Sequence, residues 1–378
     1  MLNLVEYSRV SILVLALALP SGMSTKAADA TREAIDADSI WVGNNRVAWE
    51  AAPYDTKKRN PEQRAQMFQR LGIRHYAYLS STDPWDSMDD VNTSQRDVNA
   101  EIEAMQRHGI DILAWYFWVN TDDPATVPTV KATLEAFKYH KIHPQIWVTN
   151  SFAYMPRKPE DWAKYLPQGL SMPANNKDYE ALSTIDKETI QNAVKGVEES
   201  NFPKTPQQEH LRVEKEALRI KAFVDLASPY GCRVNIYNHR GWFGMIDNEL
   251  AIIHRLEQMG VKDVGMVYNF SHSRDHRHDD SNSFPDLWAK IKDHVVAVNA
   301  AGLSGIEDVV YPSQGDRETA MMKTIQDSGW RGPIGLLVLW KPDDTEVVLR
   351  NAEAGLDWTA AELRSPGSGG PKPMLPRP

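Results

Sequence analysis

The sequence contains one cysteine, Cys232, among 378 residues. An intramolecular disulfide is therefore impossible, and zinc sites built on paired cysteines are excluded. The apolar run at residues 10–20 covers eleven positions, too few to cross a bilayer, which takes about 20. Long runs of lysine and arginine are missing too. Because the net charge of −9 repels phosphate backbones, we expect no nucleic-acid partner.

The first thirty residues show the order of features that is typical of a secretory signal peptide. Arg9 supplies a positive charge, residues 10–20 form the apolar core, and Ala28 and Ala30 define an A-x-A cleavage site. We therefore predict a signal peptide over residues 1–30, a mature domain over residues 31–362, and export to the periplasm or the extracellular space. After cleavage, the sequence predicts no membrane span.

The mature chain alternates short apolar runs with amphipathic stretches, which is typical of repeated βα units. The runs ILAWYFW and IGLLVLW stay apolar throughout, as buried parallel strands do. The pattern predicts an α/β fold, a single-domain (β/α)8 TIM barrel. An open doubly wound sheet is disfavoured, because no glycine-rich phosphate fingerprint follows the first strand. The eight strands are predicted at residues 46–51, 74–79, 111–118, 145–149, 233–237, 265–270, 294–299 and 333–340.

Two segments do not follow the βα repeat. Residues 151–205, after the fourth strand, are rich in proline and polar side chains. We predict that they form an enlarged loop, with one helix near residues 187–198, which covers the catalytic face of the barrel. Residues 363–378, which end in SPGSGGPKPMLPRP, have too little apolar content to order themselves. We therefore predict a disordered tail.

The active site of a TIM barrel lies at the C-terminal ends of its strands. The fifth predicted strand runs into His239 and the sixth into His272, both among polar neighbours. Because imidazole titrates near neutral pH, we predict that His239 and His272 are the catalytic proton carriers.

The segments YNHRGWFG, VGMVYNFSH and WRGPIGL follow one another in that order. Through them the chain resembles the exported sugar isomerase/epimerase-like branch of the xylose isomerase-like TIM barrel superfamily, over most of residues 40–360. The resemblance implies a sugar substrate and one divalent metal ion, Mn²⁺ or Mg²⁺. The implied ligands are carboxylates after strands five and six, a histidine after strand seven and a glutamate on strand eight.

The chain departs from this pattern at each ligand position. Tyr237, Asn269, Asn299 and Val338 stand where the four metal ligands are expected. Neutral amides and a phenol do not balance the charge of a hard dication, so we expect no metal cofactor. A different and weaker divalent metal site around the two histidines is the remaining alternative.

These observations predict a small-molecule carbohydrate or keto-sugar as the partner, which reacts by proton transfer next to a carbonyl group. Amide and phenol side chains would bind its hydroxyl groups, and a tryptophan would stack on its ring. The predicted substrate-binding residues are Tyr237, Trp242, Asn269, His276, Asn299, Gln314 and Trp340.

Three other functions stay open. A barrel that has lost its chemistry would be an exported, non-catalytic sugar-binding protein. A lyase or hydratase that acts on keto-glycosides would share the step of proton abstraction. A glycoside hydrolase needs two facing carboxylates; the candidates, of which no two are visibly paired, are Glu50, Asp83, Asp86 and Asp316.

Overall fold

The computed structural model describes most of the chain from Ile40 onward. The described residues are 40–41, 43–79, 91–118, 122–150, 156, 159–173, 178–179, 181–239, 241–273, 283–305, 308–337 and 343–376. The predicted signal peptide lies outside them, so its cleavage stays a prediction.

Eight parallel strands close into a barrel, which confirms the predicted (β/α)8 fold. The barrel strands are β1 (Arg46–Trp49), β2 (His75–Tyr78), β3 (Asp111–Trp118), β4 (Gln145–Thr149), β5 (Val234–Tyr237), β6 (Gly265–Asn269), β7 (Val295–Ala300) and β10 (Ile334–Leu337). Around the barrel they pair in the order β1-β10-β7-β6-β5-β4-β3-β2, so that β1 lies opposite β5. A small antiparallel hairpin, which the sequence did not predict, follows β7 and consists of β8 (Gly302–Ser304) and β9 (Asp308–Val310).

Helices alternate with the barrel strands. They are α1 (Pro61–Leu71), α2 (Val91–Arg107), α3 (Pro128–His140), α4 (Thr184–Ser200), α5 (Pro206–Ala227), α6 (Ile246–Gln258), α7 (Phe270–Ser273), α8 (Phe284–Ile291), α9 (Glu318–Asp327) and α10 (Thr345–Arg364). The single turn α7, directly after β6, was not predicted. Within the described part of the chain, no helix is long and apolar enough to span a membrane.

Local sequence signals explain where a helix such as α1 begins and ends. The Asn60 side chain accepts a hydrogen bond from the backbone N–H of Gln63, whose own side chain accepts one from Asn60 N. This capping box, with Pro61 at the first helical position, fixes the helix start. Gly72 ends the helix with a φ of 74°, a left-handed conformation that glycine adopts at little cost.

Large aromatic side chains fill the barrel interior, opposite small ones. Trp49, Tyr116, Trp147 and Tyr237 are all buried there. The rings of Trp49 and Trp147 lie 4.2 Å apart, and that of Tyr237 is 5.6 Å from Trp49. The small residues in the same cluster are Ala77, Ala114 and Ala297. The interior is therefore a packed core at the level of these rings.

The chain between β4 and α5 has a small core of its own. It contains a short 3-10 helix, Pro159–Lys164, and α4, which matches the predicted helix near residues 187–198. Trp162 is fully buried in this core, and its indole N–H donates to the backbone oxygen of Pro156. The other buried members are Leu166, Met172, Ile190 and Val197. That this segment covers the catalytic face stays a prediction.

The C-terminal tail differs from the predicted disorder. The backbone oxygen of Gly370 accepts a hydrogen bond from the indole N–H of Trp358, and that of Pro373 accepts one from Gln314 Nε2. Leu375 packs against the main core. The prediction failed because it weighed only the apolar content of the tail itself, whereas α10 and the loop before α9 supply the partners.

We predict that Gly335→Ala destabilises the barrel, because a Cβ atom at this position would lie 2.3 Å from Cε3 of the Trp49 ring. Overpacking of a tight core costs roughly 1–3 kcal/mol. The matched control is Gly196→Ala in α4, where a Cβ atom meets nothing within 4 Å and should stabilise the helix by about 0.5–1 kcal/mol. Urea denaturation measures both; equal effects would contradict the packing account.

Candidate functional site

The two predicted catalytic residues lie side by side at the C-terminal mouth of the barrel. The ring centroids of His239 and His272 are 4.3 Å apart. The ring of Tyr237, at the end of β5, lies 6.1 Å from that of His239 and 5.8 Å from that of His272. Both imidazoles are only partly buried, whereas Tyr237 is fully buried. Tyr237 therefore belongs to the packed interior, and the two histidines lie beyond it, after the ends of β5 and β6.

Short-range hydrogen bonds after β5 and β6 hold the two histidines in place. His239 N donates to Tyr237 O over 2.8 Å, which folds the chain tightly after β5. Asn238 Oδ1 accepts from Asn269 N at 2.8 Å, so the ends of the two strands are tied together. Asn269 Oδ1 then accepts from both the backbone N–H and the hydroxyl of Ser271, at the start of the turn that carries His272. Asn238 and Ser271 are supporting residues that the sequence did not single out.

The Tyr237 hydroxyl group lies within this polar cluster. Asn269 Nδ2 donates to its oxygen at 2.5 Å. Burial, assisted by the nearby charge of Glu50, raises the pKa of Tyr237 well above its usual value, so the side chain stays a neutral phenol. Because Asn269 already donates to the oxygen, the phenol proton can be offered to another acceptor.

Asn299 is the unsatisfied member of the cluster. Asn299 is on β7, where it lies opposite Asn269 of β6 and opposite Gly335 of β10. It is fully buried. Neither its Oδ1 nor its Nδ2 has a hydrogen-bond partner among the described residues. It lies close enough to the Tyr237 hydroxyl to lower that pKa slightly, although without hydrogen-bond geometry. Since a buried amide without partners costs about 1–3 kcal/mol, Asn299 is suited to a ligand or water oxygen.

Glu50, directly after β1, has an unusual backbone and an unusual environment. Its φ is 51°, a left-handed value that glutamate rarely adopts. Burial raises the pKa of its carboxyl group from 4.5 to about 7, and the Trp49 side chain offsets this in part. Solvent still reaches part of the residue, although surrounding protein atoms desolvate the carboxyl group. Among the described residues no lysine or arginine pairs with it.

The structure does not bring Trp242 or Gln314 to this cluster. Trp242 is buried between the barrel and its helices, where its indole N–H donates to Glu209 Oε1 and the Arg212 guanidinium covers its ring. The expected stacking on a sugar is therefore wrong for Trp242. The Gln314 amide donates to Ser313 and to the tail, so its predicted role in substrate binding is not supported.

Other predicted positions lie outside the described residues. These are His276, Val338, Trp340, Asp83 and Asp86. Asp316 is described; its side chain is exposed and accepts from the Gly305 backbone N–H near the β8–β9 hairpin. It therefore does not face Glu50 as the second carboxylate of a hydrolase.

The side chains at the implied metal-ligand positions do not fit a hard divalent cation. Tyr237 is a neutral phenol, and both side-chain ends of Asn269 are used within the protein. Asn299 alone offers one neutral oxygen, whereas hard dications are held by several carboxylate or carbonyl oxygens. In the part of the chain that the structure describes, no group of three or more His, Cys, Asp or Glu side chains could hold a metal ion.

A loop contact links the segment after β4 to the segment after β5. A Cβ atom at Gly241 would lie 2.5 Å from Glu198 Oε1, at the end of α4. Gly241 has a φ of 65°, so both its conformation and its contact with Glu198 favour glycine. The last turn of α4 thus packs against the loop that follows His239.

Comparisons with known proteins report on the fold. No protein-family model and no curated protein matches the chain. Among solved structures it is similar to 3-keto-D-glucoside 4-epimerase from E. coli (TM-score 0.44, 11% identity, 85% of this chain and 100% of that one). It is also similar to D-psicose 3-epimerase from Clostridium cellulolyticum H10 (TM-score 0.47, 13% identity, 84% of this chain and 99% of that one). A third similar structure is that of the probable 3-DHS dehydratase from Bacillus anthracis (TM-score 0.47, 9% identity, 82% of this chain and 97% of that one).

At identities of 9–13% and TM-scores of 0.44–0.47, these likenesses concern the fold alone. What the mouth of this barrel can do chemically has to be inferred from its own side chains.

We predict that Glu50 and Glu353 make the protein less stable as the pH rises from about 4.5 to 7. Burial raises the pKa of each carboxyl group from 4.5 to about 7 in the folded chain. Over this range the folded state binds more protons than the unfolded state, so unfolding becomes easier as the pH rises. Each shift corresponds to at most about 3 kcal/mol.

The measurement is chemical denaturation from pH 4 to pH 8 of the wild type, Glu50→Gln and Glu353→Gln. Each variant should lose part of the pH dependence and be more stable than the wild type at pH 8. An unchanged pH profile in both variants would contradict the raised pKa values.

Proposed function

We propose that the barrel mouth binds a carbohydrate or keto-sugar and moves a proton at the carbon next to its carbonyl group. The observation that carries this proposal is the pairing of His239 and His272, 4.3 Å apart, above the buried hydroxyl of Tyr237. Imidazole accepts and donates protons near neutral pH. Two imidazolium ions at this separation would repel each other, which favours one neutral ring that can act as a base.

The cluster beneath the histidines can bind oxygen atoms of such a substrate. The Tyr237 phenol can donate its proton, and Asn299 offers one donor and one acceptor that have no partner among the described residues. A carbonyl oxygen that gains negative charge as the neighbouring proton leaves is stabilised by neutral donors held in place in advance. Among the residues that lie outside the described part, His276 and Trp340 stay candidates for further sugar contacts.

The substrate we propose is unphosphorylated. Export directed by the predicted signal peptide would put the protein outside the cytoplasm, whereas sugar phosphates are cytoplasmic. The described strand ends β5 and β6 also present amides, phenols and imidazoles rather than lysine or arginine, and a phosphate group requires cationic or backbone N–H partners.

A non-catalytic sugar-binding barrel is the second candidate. The neutral side chains of Tyr237, Asn269 and Asn299 favour it, because they can hold hydroxyl groups without activating them. Proton exchange separates the two candidates, since a binding protein would bind the sugar without labelling it.

We predict that the wild type incorporates deuterium from D₂O next to the carbonyl group of an unphosphorylated ketose. The panel is D-fructose, D-tagatose, L-sorbose and a 3-keto-glucoside, each followed by NMR. His239→Ala or His272→Ala should reduce exchange by about 100-fold or more, the range of a general base. The matched control is His254→Ala, from a histidine pair 5.6 Å apart on the outer surface. Sugar binding without exchange would favour the non-catalytic barrel.

We also predict that exchange survives chelation. Because the described donors around Tyr237 do not fit a hard dication, a chelator should leave the exchange rate unchanged, and the purified protein should contain no stoichiometric Mn²⁺ or Mg²⁺ by elemental analysis. Activity that is lost to the chelator and restored by metal would reinstate metal-dependent chemistry.

A further inference from the structure

We propose that Glu50 is a second catalytic residue of this site, a general acid that protonates the substrate carbonyl oxygen while a histidine removes the neighbouring proton. This inference rests on the proposed proton-transfer function. It assigns a role to a side chain from β1, on the wall of the barrel opposite the histidines.

The backbone of Glu50 turns its side chain out of the normal strand alternation. Successive residues of a strand point to opposite faces. Because Trp49 is packed in the barrel interior, a continued strand would direct Glu50 toward the surrounding helices. The φ of 51° breaks this alternation. Non-glycine residues rarely adopt this conformation, and those that do cluster at functional sites.

The Glu50 carboxyl group lies beside the interior rings, because the side chain of the buried Trp49 is hydrogen-bonded to it. Its charge acts on the hydroxyl groups of Tyr116, from β3, and Tyr237, from β5. Since β5 is opposite β1 in the closed order, and the Tyr237 ring reaches to 5.6 Å from Trp49, Tyr237 bridges the two walls. The Tyr237 side chain is thus close to both histidine rings and within the influence of the Glu50 charge.

No structural role accounts for a charged Glu50. Some other buried carboxylates of the described chain pair with cations: Glu101 with Arg64, and Glu216 with Arg212 and Arg219. Glu318 accepts backbone N–H groups instead, and Glu249, on α6, has no hydrogen-bond partner among the described residues. Glu50 has no cationic partner among the described residues, and the titratable side chains on which its charge acts are the phenols of Tyr116 and Tyr237. A carboxyl group in these surroundings keeps its proton to about neutral pH.

The proton and electron balance of the step is complete. A neutral histidine takes the proton from the carbon next to the carbonyl group, and that C–H electron pair forms the C=C bond. The carbonyl π pair takes the proton of the Glu50 carboxyl group, so an enol forms, with an imidazolium on one wall and a carboxylate on the other. The Tyr237 phenol and the Asn299 amide can bind the same substrate oxygen. No oxidant, metal or co-reactant is required.

The test is solvent deuterium exchange into D-fructose, or into the member of the ketose panel that the wild type labels fastest. In Glu50→Gln the amide keeps the shape but cannot donate an acidic proton, so kcat for exchange should fall by about 100-fold or more while KM changes little. Glu353→Gln is the matched control, because that carboxyl group also has a pKa of about 7 but lies on α10 beside Arg46.

A pH profile distinguishes an acid from a structural residue. Wild-type exchange should decline as the pH rises through about 7, where Glu50 loses its proton, and Glu50→Gln should lack this decline. If Glu50→Gln does not fold, Glu50→Asp serves instead, with a reduced rate and the decline retained. Exchange by Glu50→Gln at the wild-type rate overturns the role of Glu50 and leaves the proposed function standing. No exchange of any ketose by the wild type overturns both.

Discussion

The ring of Trp49 packs against the bare backbone of Gly335, and this close approach organises the mouth of the barrel. A Cβ atom at Gly335 would collide with the indole, so the strand pair β1–β10 closes without strain only with glycine at this position. The tilted Trp49 ring then packs against Trp147 and Tyr237. The resulting aromatic layer sets the depth at which a ligand must stop, and it positions the two groups above it, the Tyr237 hydroxyl and Glu50.

Amides, rather than carboxylates, hold the strand ends together above this layer. Asn238 and Asn269 connect β5 to β6 through backbone and side-chain hydrogen bonds, which fixes the tyrosine and places both histidines at the rim. Asn299 continues the row onto β7, and its side chain has no hydrogen-bond partner among the described residues. Such a row is electrically neutral, and it suits the hydroxyl and carbonyl oxygens of a sugar better than it suits a dication.

Much of this arrangement can be predicted from the sequence. Continuous apolar runs identified all eight barrel strands, and the rule that sites lie at strand ends brought His239 and His272 together. The placement of Trp242 could not be predicted, because whether an aromatic ring faces the mouth or packs against α5 depends on how the loop after β5 turns. The direction of the Glu50 side chain could not be predicted either, since a glutamate in the sequence does not indicate a left-handed backbone conformation. The prediction of a disordered tail was wrong because the hydrogen-bond partners of the tail, Trp358 and Gln314, lie elsewhere in the chain.

A crystal structure of the protein soaked with an unphosphorylated ketose tests the central claim most directly. The account predicts that the sugar lies above the Tyr237 ring, with its carbonyl oxygen within hydrogen-bond distance of the Tyr237 hydroxyl and the Glu50 carboxyl group. Its neighbouring C–H bond should face His239 or His272. A sugar bound elsewhere on the barrel, or a Glu50 side chain directed toward the surrounding helices, would contradict it.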